Sequence, residues 1–347
     1  MEATVFRLRL ELRNPFRIAH GTYSHRESVF LRLRSGGFEA YGEAPVVPYY
    51  GLSTDEIEAD LRAGLSRRAV EEAMASLSAA RAPFAHPVAR SAFETAALSL
   101  RAAAEGRSLA SLLGAGGGAS PPSSYTVAYD EDGEAMVRVA ASSGFRRLKL
   151  KAGIPGDVER VALIRERLPE AIIRVDANQG WSLEEAPAKL AALERLGVEF
   201  VEEPTAAAPA DYARLAASTS LPLLLDESLR SAEDIARFAG AGLAGVVVKI
   251  AKNGGPAASA SLARAAREAG MRAMVSCMVE TSLGAGAALG LGPLCEWCDL
   301  DAPMLIANDP FVGFRYDEDR PAAPGGVKPG PELERLVDSL APAVLGD

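Results

Sequence analysis

The sequence predicts an α/β protein, a (β/α) barrel preceded by an α+β unit, and three observations carry that prediction. Short apolar runs recur at near-constant spacing, ending at Lys151, Asp176, Glu202, Asp226, Lys249, Cys277 and Asp301, 23 to 28 residues apart. Amphipathic or alanine-rich stretches such as GDVERVALIRERL and GGPAASASLARAAREAG fill the intervals, and apolar strands alternating with helices make a buried parallel sheet. Residues 125–129 add one more strand. An uninterrupted series of about eight units favours closure into a barrel over an open doubly wound sheet.

The elements before the barrel read differently. MEATVFRLRLELRNPF alternates apolar and polar residues, so residues 4–12 form a strand, and the stretch lacks the apolar core of a signal peptide. A second alternating run covers residues 28–34. ADLRAGLSRRAVEEAMASLSAA and PVARSAFETAALSLRAAAEG then carry helical periodicity. Strands followed by helices make an α+β unit. GAGGGASPPSS, residues 114–124, breaks both patterns and is the natural linker.

Composition narrows the function classes. The 347 residues carry 37 basic and 46 acidic side chains, a net charge of −9 and a pI near 5.1. That balance argues against a nucleic-acid or anionic-membrane partner. No apolar run approaches a membrane span, and a cytoplasmic location is expected. The cysteines are Cys277, Cys295 and Cys298, and the histidines are His20, His25 and His86. CEWC lacks the second pair a zinc ribbon needs, so a structural role is expected for it. LGAGAALGLG lacks the spacing of a dinucleotide-binding loop. Homo-oligomerisation is left open.

The chemistry lies at the strand ends. Lys151, Asp176, Glu202, Asp226 and Lys249 close five consecutive strands, and in a parallel barrel those ends meet at one mouth. Three carboxylates converging there repel one another unless a cation intervenes, and oxygen-only ligation suits Mg²⁺ rather than zinc. Lys151 and Lys249 come from the second and sixth strands, on opposite sides of the mouth. That arrangement suits two-base chemistry, in which one lysine removes a proton α to a carboxylate and the other protonates the opposite face while the metal stabilises an enediolate. Lys149 alternates onto the same strand face as Lys151, where its charge orients substrate and weakens the hold of Lys151 on its proton.

Taken in order, LKLKAG, VDANQGW, VEEP, LDES, VKIAKNGG and SCMVETSLG resemble the enolase superfamily, specifically its muconate-lactonizing-enzyme subgroup. The resemblance implies a (β/α)7β-type TIM barrel, residues 119–325, with an N-terminal α+β capping domain, residues 1–118, completed by residues 326–347. It implies Asp176, Glu202 and Asp226 as Mg²⁺ ligands, Lys151 and Lys249 as bases, and Lys149, Asn178 and Met278 as substrate contacts. Glu203 stands where the subgroup more often has glutamine. CDLDAPMLIANDPF resembles the Asp-x-Asp motif of dipeptide epimerases, in which Asp299 and Asp301, alternating onto one strand face, hold a dipeptide's α-ammonium.

That resemblance implies an isomerase that epimerises L,L-dipeptides to L,D-dipeptides at the C-terminal residue. The alternatives are N-succinylamino acid racemase, o-succinylbenzoate synthase or muconate cycloisomerase, whose substrates offer these aspartates no ammonium, and a non-enzymatic barrel with an incidental charged ring. The cap loops AHGTYSHRES and VVPYYGLS are expected to contact the distal side chain. His20, His25 and Arg26 suit an acidic side chain, Tyr23, Tyr49 and Tyr50 an apolar one, and Gly21 stands where Ala-Glu epimerases carry arginine.

Overall fold

The computed structural model describes residues 1–18, 21–47, 51–77 and 84–346. Three long antiparallel strands open the chain: β1 (Glu2–Ile18), β2 (Gly21–Ser35) and β3 (Phe38–Val46). β1 runs past the expected stretch because its pairing with β2 breaks between Glu11 and Phe16 and then resumes. Pro15, which has no N–H to donate, falls inside that irregularity. Helices α1 (Thr54–Gly64), α2 (Arg67–Ala75) and α3 (Pro87–Glu105) cover one face of the sheet. α1 begins at a Ser53/Glu56 capping box and α2 at the Ser66 side chain, which satisfy N–H groups the first turns leave free.

The alanines of α3 let it lie almost on the sheet. A Cβ on Gly42 of β3 would stand 1.8 Å from the Ala92 carbonyl oxygen, so only glycine permits that approach. The chain's last strand, Ala343–Val344, pairs with β1. Leu333 and Val337 of the helix Pro331–Ser339 pack with Phe6, Phe30 and Tyr41 of the cap sheet and with Leu283 and Phe311.

The barrel strands are β4 (Tyr125–Val127), β5 (Arg147–Lys151), β6 (Ile172–Asp176), β7 (Val201–Glu202), β8 (Leu223–Leu225), β9 (Gly245–Lys249), β10 (Arg272–Ser276) and β11 (Trp297–Asp299). They pair in parallel in sequence order. At the seam between β4 and β11 the Ser124 N–H donates to the Cys298 carbonyl at 3.3 Å. Ser123 and Ser124 are fully buried, so the proline- and serine-rich segment ends as part of the barrel floor rather than as a free tether.

Alternation along the strands separates two layers. Leu148, Leu150, Ile173, Val175, Val246 and Val248 face the helices. Phe200, Leu224, Val247, Met274 and Trp297 fill one side of the interior. The other side is polar: buried Arg174 donates to Glu199 at 2.7 Å, Ser124 at 3.3 Å and the Cys298 carbonyl at 2.8 Å. Cys295 and Cys298 are buried and free, as is the half-buried Cys277. No helix among the described residues is long and apolar enough to cross a membrane.

Candidate active site

On β5 the alternation sends Leu148 and Leu150 outward and Lys149 and Lys151 inward. Lys151 pairs in register with Asp176, and Asp176 with Glu202, which sets the three strand ends in one layer. The Lys151 ammonium donates to Asp176 Oδ2 at 2.6 Å and Asn178 Oδ1 at 3.2 Å. Lys249 ends β9, the sixth barrel strand against the second for β5, and its ammonium contacts Asp226 Oδ2. Asp226 lies one residue beyond β8. Each lysine therefore rests on a different carboxylate from its own side of the mouth.

Lys149 is shared. It contacts Asp299 Oδ2 directly and stands 3.8 Å from Glu202 Oε2 and 3.9 Å from Asp176 Oδ2. Burial opposes its charge, but those three carboxylates prevail and hold its pKa well above the usual lysine range. Burial likewise pushes the Asp226 carboxyl up, yet Lys249 and Lys252 hold it well below its usual value. Glu202 has the weakest support. It is fully buried, both carboxylate oxygens find no hydrogen-bond partner among the described residues, and burial, then Asp176, raises its pKa well above the usual range.

Two buried oxygens short of a partner, beside two more strand-end carboxylates, form a hard donor set suited to a divalent cation. Among the described residues no three such groups stand in a ready-made ligand cluster, and the Lys151 and Lys249 ammonium groups rest on Asp176 and Asp226. The carboxylates fit an ion that displaces lysines.

The loops after β6 and β7 hold uncommon conformations. Asn178, Gln179 and Glu203 have φ of 44°, 61° and 38°, and such left-handed non-glycine residues cluster where a site over-determines the backbone. Asn178 donates its N–H to Asp176 Oδ1 at 3.0 Å and its amide to Glu227 Oε1 at 2.9 Å. Glu203 turns away from the mouth lysines and supports the scaffold, accepting from Gln179 at 2.9 Å and from the Asp226 N–H at 2.6 Å.

Asp299 ends β11, but Asp301 lies beyond the strand with φ −106° and ψ −2°, before the short helix Ala302–Leu305, so the expected strand alternation does not relate the pair. Both nonetheless line one cavity of about 60 Å³ with Lys149, Lys151 and Lys249. Asp299 is already engaged by Lys149, by Ser124 at 2.7 Å and by Ser276 at 3.1 Å, whereas Asp301 accepts from the Thr126 N–H. Burial, then the neighbouring Asp299, pushes Asp301 up to about 6.

Arg26 and Met278 also line this cavity. The Arg26 guanidinium lies 3.5 Å above the centre of the Tyr23 ring. His25 is half-buried and outside the lining, and His20, Tyr49 and Tyr50 fall outside the described residues.

Sequence reasoning passed over Lys252. Its buried ammonium contacts Asp226 Oδ1 at 2.6 Å, the Asp226 carbonyl at 2.5 Å and the Val247 carbonyl at 3.1 Å. The available signal was its place three residues after Lys249, one turn along the helix Ile250–Asn253 that starts where β9 stops. Glu227 and the hydroxyls of Ser124 and Ser276 were also missed, and a hydroxyl carries no pattern that marks it in a sequence.

Residues 131–322 match the family described as Enolase C-terminal domain-like, and residues 1–114 the Mandelate racemase / muconate lactonizing enzyme, N-terminal domain. The chain belongs to the enolase superfamily. It is an enzyme of the isomerase class, and the proteins it is similar to include epimerases. An L-Ala-D/L-amino acid epimerase of Pedosphaera parvula is 35% identical over 66% of this chain and 67% of its own length. An L-Ala-D/L-Glu epimerase of Escherichia coli is 31% identical over 90% of this chain and 98% of its own. Among solved structures, a dipeptide epimerase from Cytophaga hutchinsonii complexed with Mg and D-Ala-L-Val superposes with a TM-score of 0.88 at 25% identity, covering 99% of this chain and 98% of that one.

Proposed function

We propose that the enzyme epimerises dipeptides at the α-carbon of the C-terminal residue, converting L,L to L,D forms by Mg²⁺-dependent 1,1-proton transfer. The observation that carries this reading is the pairing of Lys151 and Lys249, each on its own carboxylate across one cavity that Asp301 also lines. Asp176, Glu202 and Asp226 would hold the cation, which supplies charge stabilisation for the substrate carboxylate as its α-proton leaves.

Lys151 and Lys249 rest on the carboxylates a cation would claim, so with a cation held there both ammonium groups would be left for the substrate. One then takes the α-proton in its neutral form and the other, protonated, delivers a proton to the opposite face. Lys149 keeps its proton among three carboxylates and serves as a fixed cation for the substrate carboxylate. Asn178, held at both ends by Asp176 and Glu227, fixes the direction of Lys151. Asp301, with Asp299 behind it, takes the dipeptide's terminal ammonium, while Arg26 and Met278 meet the distal side chain. Three free cysteines accord with a reducing, cytoplasmic setting.

The test is kcat/KM for a dipeptide against its N-acetyl and N-succinyl forms, followed by α-proton exchange in D₂O. Acylation removes the cation that buried Asp301 would pair with, an expected loss of about a thousandfold. A better rate with the acylated substrate would overturn the epimerase reading in favour of a racemase of N-acylated amino acids.

A further inference from the structure

A second cavity, of about 420 Å³, adjoins the first. The two share Phe16, Thr126 and Leu305 as a common threshold. Its walls come from the cap hairpin on one side and from β4 and the helix Gly133–Ser142 on the other. Leu12, Phe16, Met136, Val139, Met304 and Leu305 give it an apolar lining. Its charged residues lie toward solvent: Arg17 pairs with exposed Glu131 at 3.0 Å and lies 5.1 Å over the Tyr129 ring, and exposed Asp130 accepts the Asp132 N–H at 2.8 Å. Arg13 stands at the exposed rim.

Strand order fixes which part of a substrate faces this space. The carboxylate end belongs with β6, β7 and β8, the reacting carbon between β5 and β9, and the ammonium with Asp301, after β11 and hydrogen-bonded to Thr126 of β4. In a dipeptide the N-terminal side chain and the ammonium branch from the same carbon. A side chain leaving that carbon near Thr126 therefore meets the threshold of the second cavity.

We infer that this cavity is the subsite for the N-terminal side chain, and that the enzyme selects dipeptides whose N-terminal residue is large and uncharged, of the leucine, methionine or phenylalanine kind. The inference rests on the epimerase reading. A methyl group leaves the apolar walls in contact with water, and a charged side chain is desolvated against those walls. Each added methylene in such a pocket is worth roughly tenfold or more in kcat/KM.

The experiment uses the Mg²⁺-loaded enzyme and dipeptides that share one C-terminal residue and carry Gly, Ala, Leu, Met, Phe, Asp or Lys at the N-terminus, with α-proton exchange followed by NMR. The expected result is kcat/KM for the Leu, Met and Phe dipeptides at least about tenfold above the Gly and Ala ones. In Ala135→Trp and Val139→Phe, which fill the cavity from the helix, the ratio of Leu to Gly dipeptide should fall by a similar factor. Equal or better turnover of Gly, Ala, Asp or Lys dipeptides overturns the subsite while leaving the epimerase reading intact. An unchanged ratio in a folded variant, checked by circular dichroism, does the same. Exchange of no dipeptide at all removes the epimerase reading and the subsite together.

Discussion

Buried carboxylates occur in two places in this protein and are handled in two ways. At the mouth, Asp176, Asp226 and Asp299 each meet a lysine ammonium, and Glu202 waits beside Lys149. At the junction of cap and barrel, Glu43 of β3 meets Glu280 of the barrel, and burial dominates both carboxyls although the Lys249 charge lowers Glu280 somewhat. Glu43 accepts from Ser28 at 3.0 Å and from the Thr281 hydroxyl at 2.6 Å, and Glu280 accepts the Met278 N–H at 2.7 Å. In the first cluster lysines supply the counter-charge, Lys151 and Lys249 being the ones a metal and a substrate can replace, while burial holds Glu202 toward its protonated form. The second is neutralised by holding protons. Carboxylates paired with lysines mark the reactive site, and a facing carboxyl pair without an ion pair marks a join.

The largest way to break that comparison is to remove the mouth's cations one at a time. Lys151→Ala and Lys249→Ala should each lower epimerisation by about 10⁴-fold, the upper range for a positioned acid or base. Each variant should still exchange the α-proton of one epimer in D₂O, with opposite preference. Chelation should silence the enzyme and Mg²⁺ restore it. An Lys249→Ala enzyme that interconverts both epimers at the ordinary rate would sink two-base chemistry.

Lys252 sharpens the comparison at a smaller scale, because its contacts with two backbone carbonyls mark it as a permanent partner of Asp226 while Lys249 is the exchangeable one. We expect Lys252→Met to weaken Mg²⁺ affinity by roughly 10- to 100-fold, as loss of a group orienting a ligand does elsewhere. Lys252→Arg should recover part of it. Calorimetric titration with Mg²⁺ reads both, and unchanged affinity in Lys252→Met would show Asp226 is held well enough without it.

How much of this the sequence disclosed follows from what each feature depends on. The strand-end lysines and carboxylates were legible because alternation and near-constant unit length place them before any coordinates are known. Lys252 was not, since its role depends on a one-turn helix returning its ammonium to Asp226. Asp301 was assigned to a strand face that ends two residues earlier. Glu43 and Glu280 are 237 residues apart in the chain, and only docking of cap on barrel makes them neighbours. Local periodicity reveals groups set by one element, and long-range packing hides the rest.

Asp301 gives a milder, pH-dependent effect. Burial and then Asp299 raise its carboxyl to about 6, so the ionised form that binds an ammonium is present above that pH and lost as pH falls through it. KM for a dipeptide should rise several-fold between pH 7 and 5. In Asp301→Asn the rise should vanish while KM stays high throughout. A wild-type KM flat across that window would mean that Asp301 keeps its charge in acid or does not bind the ammonium.

The smallest expected effect concerns the join itself and appears in stability rather than turnover. Burial, then the facing Glu280, pushes Glu43 up to about 8, and burial pushes Glu280 up to about 7, with Glu280 Oε2 left without a hydrogen-bond partner among the described residues. Both lie above the usual carboxyl near 4.3, so the folded protein retains protons that the unfolded chain has released. The sign follows: stability is highest below the unfolded value and falls as pH rises toward 7 to 8, where the folded groups finally ionise. Replacing Glu280 by glutamine removes one of the two titrations and the repulsion with it. Urea denaturation at pH 5 and pH 8.5 should show the stability difference between those conditions shrinking by on the order of 1 to 2 kcal/mol in Glu280→Gln. An identical difference in both proteins would mean that the pair is ionised at neutral pH, and the contrast between a mouth neutralised by cations and a join neutralised by protons would fail.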